Sequence, residues 1–193
     1  MKMKSIIIGL LLLPLSLVAS AGTWTVENDS SNVSFISIKK GDIAEVHHFN
    51  SVAGTLNDKG QFDFSIALAS VATNIDIRDE RMDSLLFEVD KYPKLTLKAK
   101  VDPKLLANLA IGSVTVATVD AEVALHGKKQ KMAFTVSIAK LSDSHMLVAS
   151  VAPIIVNADS FGMTAGVEKL REVAGLSAIS KAVPVSFMLN LKQ

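Results

Sequence analysis

The residues whose types suit them to chemistry are four histidines and one dense acidic and basic cluster. His47 and His48 are neighbours in an extended segment, so their side chains point to opposite faces and cannot close on one metal from the same side. His126 precedes Gly127 in a turn sequence and His145 follows one; neither has a partner at metal-ligand spacing. The chain has no cysteine, which removes thiolate nucleophiles and thiolate metal ligands. It also lacks G-x-S-x-G, H-E-x-x-H and a glycine-rich phosphate loop, and its serines have no base at a recognisable spacing. No catalytic residue, metal or cofactor is therefore assigned, and the chain is not read as an enzyme. The cluster Asp76, Arg78, Asp79, Glu80, Arg81 and Asp83 has two readings. It is a solvated helix start whose acids favour the helix dipole and pair with the arginines. Alternatively Arg78, Asp79 and His126 form the polar mouth of an apolar cavity, with Arg78 holding a head group or locking the helix to the body of the protein.

Charge narrows the partners. Twenty basic and 19 acidic residues leave a formal charge of +1, and the signs alternate along the chain, so there is no basic footprint for nucleic acid. At the N-terminus, Lys2 and Lys4 precede a nearly all-apolar run from Ile6 to Val18, followed by Ala19-Ser20-Ala21, the pattern of a cleavable signal peptide. Residues 1–21 are expected to be removed and 22–193 to form one domain. Losing Lys2 and Lys4 takes the charge from +1 to −1. No second apolar run approaches the roughly 20 residues that span a bilayer, so stable membrane insertion is not expected. Without disulfides, the exported domain must be stabilised by a packed core.

The elements that would position these residues are strands. Phe62, Phe64, Ile66 and Leu68 alternate with Asp63, Ser65 and Ala67, the period of a strand with one buried face. The same alternation runs through Val33–Phe35, Leu95–Val101, Met132–Ile138 and Val183–Leu191. Turn residues separate the runs at Lys40-Gly41-Asp42, Asn57 to Gly60, His126 to Lys129 and Ser142 to Ser144. Between Ser113 and Leu125 the apolar phase slips, which predicts a bulge near Ala117–Thr118. About eight antiparallel strands follow, enough to close a barrel around one elongated ligand. One to three short helices are expected as caps: Arg78–Phe87 with Asp76 as its cap, Val167–Val173 opened by Gly166, and a turn or short helix over Pro103–Leu109. Phenylalanines spread over separate strands suit a filled core or a cavity equally well.

From Trp24 onward the order of segments resembles the YceI-like family. The likeness rests on Thr73-Asn74-Ile75-Asp76-Ile77-Arg78-Asp79 running through Ser84, Phe87, Tyr92-Pro93 and Leu95-Thr96-Leu97. It is supported by Val123-Ala124-Leu125-His126-Gly127 and Asp159-Ser160-Phe161-Gly162-Met163. The chain diverges from the family pattern at Arg81, Met82, Ala158 and Lys39 to Asp42. The resemblance implies an all-β fold, an extended eight-stranded antiparallel lipocalin-like barrel. It also implies a periplasmic protein that binds a long isoprenoid lipid, either a polyprenyl chain or an isoprenoid quinone, and it leaves a homodimer open. Strand alternation and the likeness together place Phe35, Phe64, Ile66, Leu68, Leu86, Phe87, Leu95, Leu97, Val116, Phe134, Val136, Phe161 and Phe187 on the inward face. A stress-related interaction protein with a filled barrel, or an enzyme acting on the lipid, are the alternatives.

Overall fold

The structure, a computed structural model, describes residues 22–193; the expected signal peptide, 1–21, lies outside the described residues. Twelve hydrogen-bonded segments form one antiparallel sheet. Where a short kink divides a segment, the two pieces still share a neighbouring strand, so the sheet is a ring of eight strands. These are β1 (Trp24–Val26 and Asn32–Lys39), β2 (Ile43–Phe49 and Val52–Leu56), β3 (Gln61–Ala67 and Val71–Ala72) and β4 (Lys94–Lys100). They are followed by β5 (Val114–Leu125), β6 (Lys128–Ser142), β7 (His145–Ser150 and Ile154–Asn157) and β8 (Ala182–Lys192). Each strand pairs with the next. β8 returns to β1 through Val26↔Leu191 and Phe35↔Val185, which closes the barrel. The kinks in β1 and β2 sit side by side, and there the Val52 N–H donates to Asn28 Oδ1 at 2.8 Å, so neither break leaves it unpaired.

Strand β5 corrects the sequence reading. Its pairing with β6 is unbroken from Val114↔Ala139 to Leu125↔Lys128, with no bulge at Ala117–Thr118. Val114 and Val116 therefore keep one phase and face outward, 65% and 61% exposed, so Val116 does not belong to the inner wall. The apparent slip arises because this part of the strand is apolar on both faces, and hydrophobicity then no longer reports which way a side chain points. The register shift in this region lies instead between His145 and Met146.

Helices close the ends. At one end α1 (Asp76–Arg81) runs directly into a π-helical turn, Met82–Phe87, which ends at Glu88 in the left-handed region with φ 49°. Ile75 precedes α1 and Asp76 lies inside its first turn, so Asp76 is not the cap that the sequence suggested. At the other end α2 (Pro103–Ala107) is capped by Asp102, whose side chain accepts from the Lys104 N–H at 2.9 Å. A third helix, α3 (Thr164–Val173), starts before the expected Gly166 and lies over the π turn. Gly166 is inside it because the approach is close: a Cβ there would stand 2.8 Å from the Leu85 carbonyl oxygen and 2.9 Å from the Leu86 Cα. The buried side chains form two clusters, one around Val26, Leu56, Ile138 and Leu191, the other around Phe35, Leu68, Phe87 and Phe161 beneath the α1 end.

Candidate functional site

Between these clusters the barrel encloses a cavity of about 250 Å³, so its interior is not filled. The alternate residues of each strand that face inward supply its wall, and every side chain on the wall is apolar. It runs from Leu56, Leu106 and Leu191 at the α2 end to Met82, Leu86, Phe87 and Val167 beneath α3 and the π turn. Phe35, Phe64, Ile66, Leu68, Leu95, Leu97, Phe134, Val136 and Phe187 also line it. Val116 lies outside. Phe161, 1% exposed, is packed in the core beside the wall, because the 3-10 turn Ala158–Phe161 tucks it in ahead of α3. Sequence reasoning passed over Met82, Met132, Met146 and Met163, which line the cavity and give it flexible, polarisable surface.

At the α1 end the inward rows of β1 and β2 change from apolar to polar. Phe35 pairs with His47 and Ser37 with Glu45. His47 is 3% exposed; its Nε2 shares a 3.0 Å hydrogen bond with Ser37 Oγ, and its Nδ1 has no partner among the described residues. Glu45 accepts from Lys39 Nζ at 2.8 Å and from Arg78 Nη1 at 2.5 Å. Arg78 Nη2 also donates to the Thr73 carbonyl at 2.6 Å, and Asp79 accepts from the Thr73 N–H at 3.0 Å and from its hydroxyl. Arg78 and Asp79 thus latch α1 to the barrel rather than pairing within the helix. The Lys39 hydrogen bond, then Arg78, holds the Glu45 carboxyl below its ordinary value. Burial, then the Arg78 charge, pushes the His47 imidazole down and keeps it neutral. Burial and the nearby Asp79 raise the carboxyl of Asp83, whose Oδ1 is buried without a partner among the described residues.

Aromatic rings stand between this cluster and the cavity: Phe35 lies 5.3 Å from both His47 and Phe49, and Phe49 lies 6.0 Å from Phe87. His126 is not in the Arg78 cluster. It pairs with Glu88 at 2.7 Å and packs on Tyr92 at 4.5 Å, a second tie between the π turn and the β5–β6 hairpin. The segment carrying α1 and the π turn is bracketed by two non-glycine residues in the left-handed region, Asn74 (φ 61°) and Glu88. It is a lid over the apolar cavity, with a left-handed turn residue at each end. The Ser37–His47 pair has nucleophile and base types, but His47 is buried and its Nδ1 has no carboxylate to orient it among the described residues. Among the described residues no group of three or more metal-ligating side chains occurs. His47 and Glu45 precede Phe49, and Ser37 and Lys39 follow Phe35, at steps of two along the inward rows, a period that places them on this face without naming their partners.

A family model described as the YceI-like domain matches residues 24–191. None of the curated proteins compared matches the chain. Among solved structures, a polyisoprenoid binding domain from Saccharophagus degradans implicated in plant cell wall breakdown is 32% identical, with a TM-score of 0.85 over 88% of this chain and 97% of that one. BcnA of Burkholderia cenocepacia, 16% identical, shares the fold with a TM-score of 0.66 over 86% of this chain and 98% of its own. The YceI protein of Campylobacter jejuni, 12% identical, does so at 0.56 over 76% and 84%.

Proposed function

This chain belongs to the YceI-like domain family, and from that premise we propose that its barrel holds a long isoprenoid lipid, a polyprenyl chain or an isoprenoid quinone. The carrying observation is the wholly apolar cavity of about 250 Å³ inside the closed barrel. Water finds no hydrogen-bonding partner on its walls, so the empty cavity is unfavourable. A branched hydrocarbon chain removes that cost and gains about 0.8 kcal/mol for each CH₂ taken out of water. The polyisoprenoid-binding relative at 32% identity supports this ligand class.

The lipid's polar end belongs at the lid, where the partly exposed Arg78, Asp79 and Glu45 offer charge and hydrogen bonds. Binding needs no cofactor and no reacting side chain, so the protein carries or stores its lipid without transforming it. The signal-like N-terminus supports a periplasmic site of action. Native mass spectrometry followed by organic extraction tests the proposal, on protein expressed with its own N-terminal segment. A bound mass matching a polyprenyl or quinone lipid is expected, with a lower Tm after extraction. A clean apo mass that stays clean on incubation with both lipid types refutes it.

A further inference from the structure

The ring of strands is closed, but its wall is not paired along its whole height. β7 runs beside β6 as far as Ser150↔Val136, and the Val151 N–H makes the last bond, to the Thr135 carbonyl at 3.0 Å. Ala152-Pro153 then turns the chain away, because Pro153 has no N–H to give to a ladder. Between Ala149↔Met188 and Ile154↔Val185, residues 150–153 of β7 stand against only Ser186 and Phe187 of β8, a bulge in which the Ser150 hydroxyl oxygen accepts from the Phe187 N–H at 3.2 Å. Past the bulge, Ile154–Asn157 pairs with β8 alone and residues 128–134 of β6 pair with β5 alone; among the described residues no backbone hydrogen bond joins the two. A slit therefore runs along the wall. It is bounded at one end by Thr135 and Val151 and at the lid end by Gln130, whose Nε2 donates to the Ser160 carbonyl at 2.8 Å. The inward residues of its two sides, Met132 and Phe134 against Ile154 and Val156, also line the cavity.

We propose that the lipid enters and leaves the barrel sideways through this slit, an inference that rests on the lipid-binding function proposed above. Lifting the lid is the more costly route. It breaks the Arg78–Glu45, Arg78–Thr73 and Glu88–His126 contacts, exposes the buried Met82 and Phe87, and parts α3 from the π turn at Gly166. At the slit there is no ladder to break. Apart from the Gln130–Ser160 bond, side chains alone stand between cavity and solvent, and Met132 turns readily about its unbranched stem. The two edges also differ outside. Lys129 and Lys131 charge the β6 edge, the usual protection of an unpaired strand. The β7 edge is apolar instead: Val151 and Ile155 are 54% and 51% exposed, with Ala152 and Pro153 exposed between them. An isoprenoid chain moving through the slit therefore slides along apolar side chains and exposes only part of its length to water at any moment.

The chain has no cysteine of its own, so introduced thiols can be cross-linked specifically. Ala133→Cys with Ile155→Cys, joined by a short bismaleimide, staples the slit from outside; Glu88→Cys with His126→Cys, joined in the same way, fastens the lid. The same variants capped with N-ethylmaleimide are the controls, and circular dichroism confirms that each is folded. The readout is release of a bound short-chain isoprenoid quinone to phosphatidylcholine vesicles, followed by its ultraviolet absorbance after the vesicles are sedimented. Stapling the slit should slow release roughly 10-fold or more, while fastening the lid should leave it unchanged. Gln130→Ala, which needs no cross-link, should speed release about five-fold by removing the one hydrogen bond across the opening. Release that is indifferent to the staple and to Gln130→Ala overturns the proposal, as does a fastened lid that slows release as much as the staple. Those results leave lipid binding standing, whereas a wild-type chain that takes up no quinone or polyprenyl lipid refutes the binding function and this passage with it.

Discussion

Replacing Gly166 by alanine separates two opposed effects with different causes. Inside α3, alanine is favoured over glycine by about 1 kcal/mol because the unfolded chain has less freedom to lose. Against this, the new methyl group would stand 2.8 Å from the Leu85 carbonyl oxygen, 2.9 Å from the Leu86 Cα and 3.2 Å from the Leu86 Cδ1. The two nearest atoms are backbone and have no rotamer to move aside. Restoring ordinary contact at about 3.5 Å requires α3 and the π turn to part by about 0.6 Å, and because the atoms in the way are backbone the cost is about 2–3 kcal/mol, the upper part of the usual overpacking range. The clash outweighs the propensity gain, leaving a net loss of about 1–2 kcal/mol. At about 2–4 °C per kcal/mol for a chain of this size, Tm should fall by about 2–8 °C. Calorimetry measures it, with urea unfolding as an independent check. Because Leu86 and Phe87 line the cavity, the variant should also release bound lipid faster than wild type. A Gly166→Ala protein as stable as wild type, or more so, would refute the argued contact between α3 and the lid.

Three further outcomes are expected. A double-mutant cycle on Arg78→Ala and Glu45→Gln should return a coupling of about 1 kcal/mol, modest because both side chains are partly exposed; hydrogen exchange of the 76–87 amides should speed up in Arg78→Ala, and zero coupling would remove the latch. His47 titrates lower in the folded protein than in the unfolded chain. The unfolded state therefore binds the extra proton first, and the stability this group contributes is full above about pH 6.5 and lost as pH falls below it. His47→Gln should lose less stability than wild type between pH 7.5 and 5.5 in urea titrations, and an unchanged difference would show that His47 is not the group responsible. Asp83, whose pKa is raised by burial and by Asp79, holds an unfavourable charge at neutral pH, so Asp83→Asn should raise Tm by about 1–3 °C in calorimetry; a lower Tm would contradict that assignment.

Period-two alternation determined the class of this protein without any structure. Phe64, Ile66 and Leu68, or Val183 and Phe187, have polar or small neighbours between them, and for such strands only one face can be buried at acceptable cost. The turn residues fixed the antiparallel order, since strands joined by a few residues must run back along each other. What alternation could not decide was any segment apolar on both sides: Val116 reads as inward because nothing in its own strand distinguishes a face covered by the core from one on the outside. The polar lid site was illegible for a different reason. Glu45 and Arg78 lie 33 residues apart, and their 2.5 Å contact exists only because the β1–β2 hairpin and α1 meet at one end of the barrel. Charge pairing read along the sequence assigns Arg78 to its helical neighbours, while burial against β2 makes Glu45 the partner that the folded protein uses. Local periodicity is a property of the chain, but cavities, latches and the outer face of a strand are set by which distant elements arrive beside it.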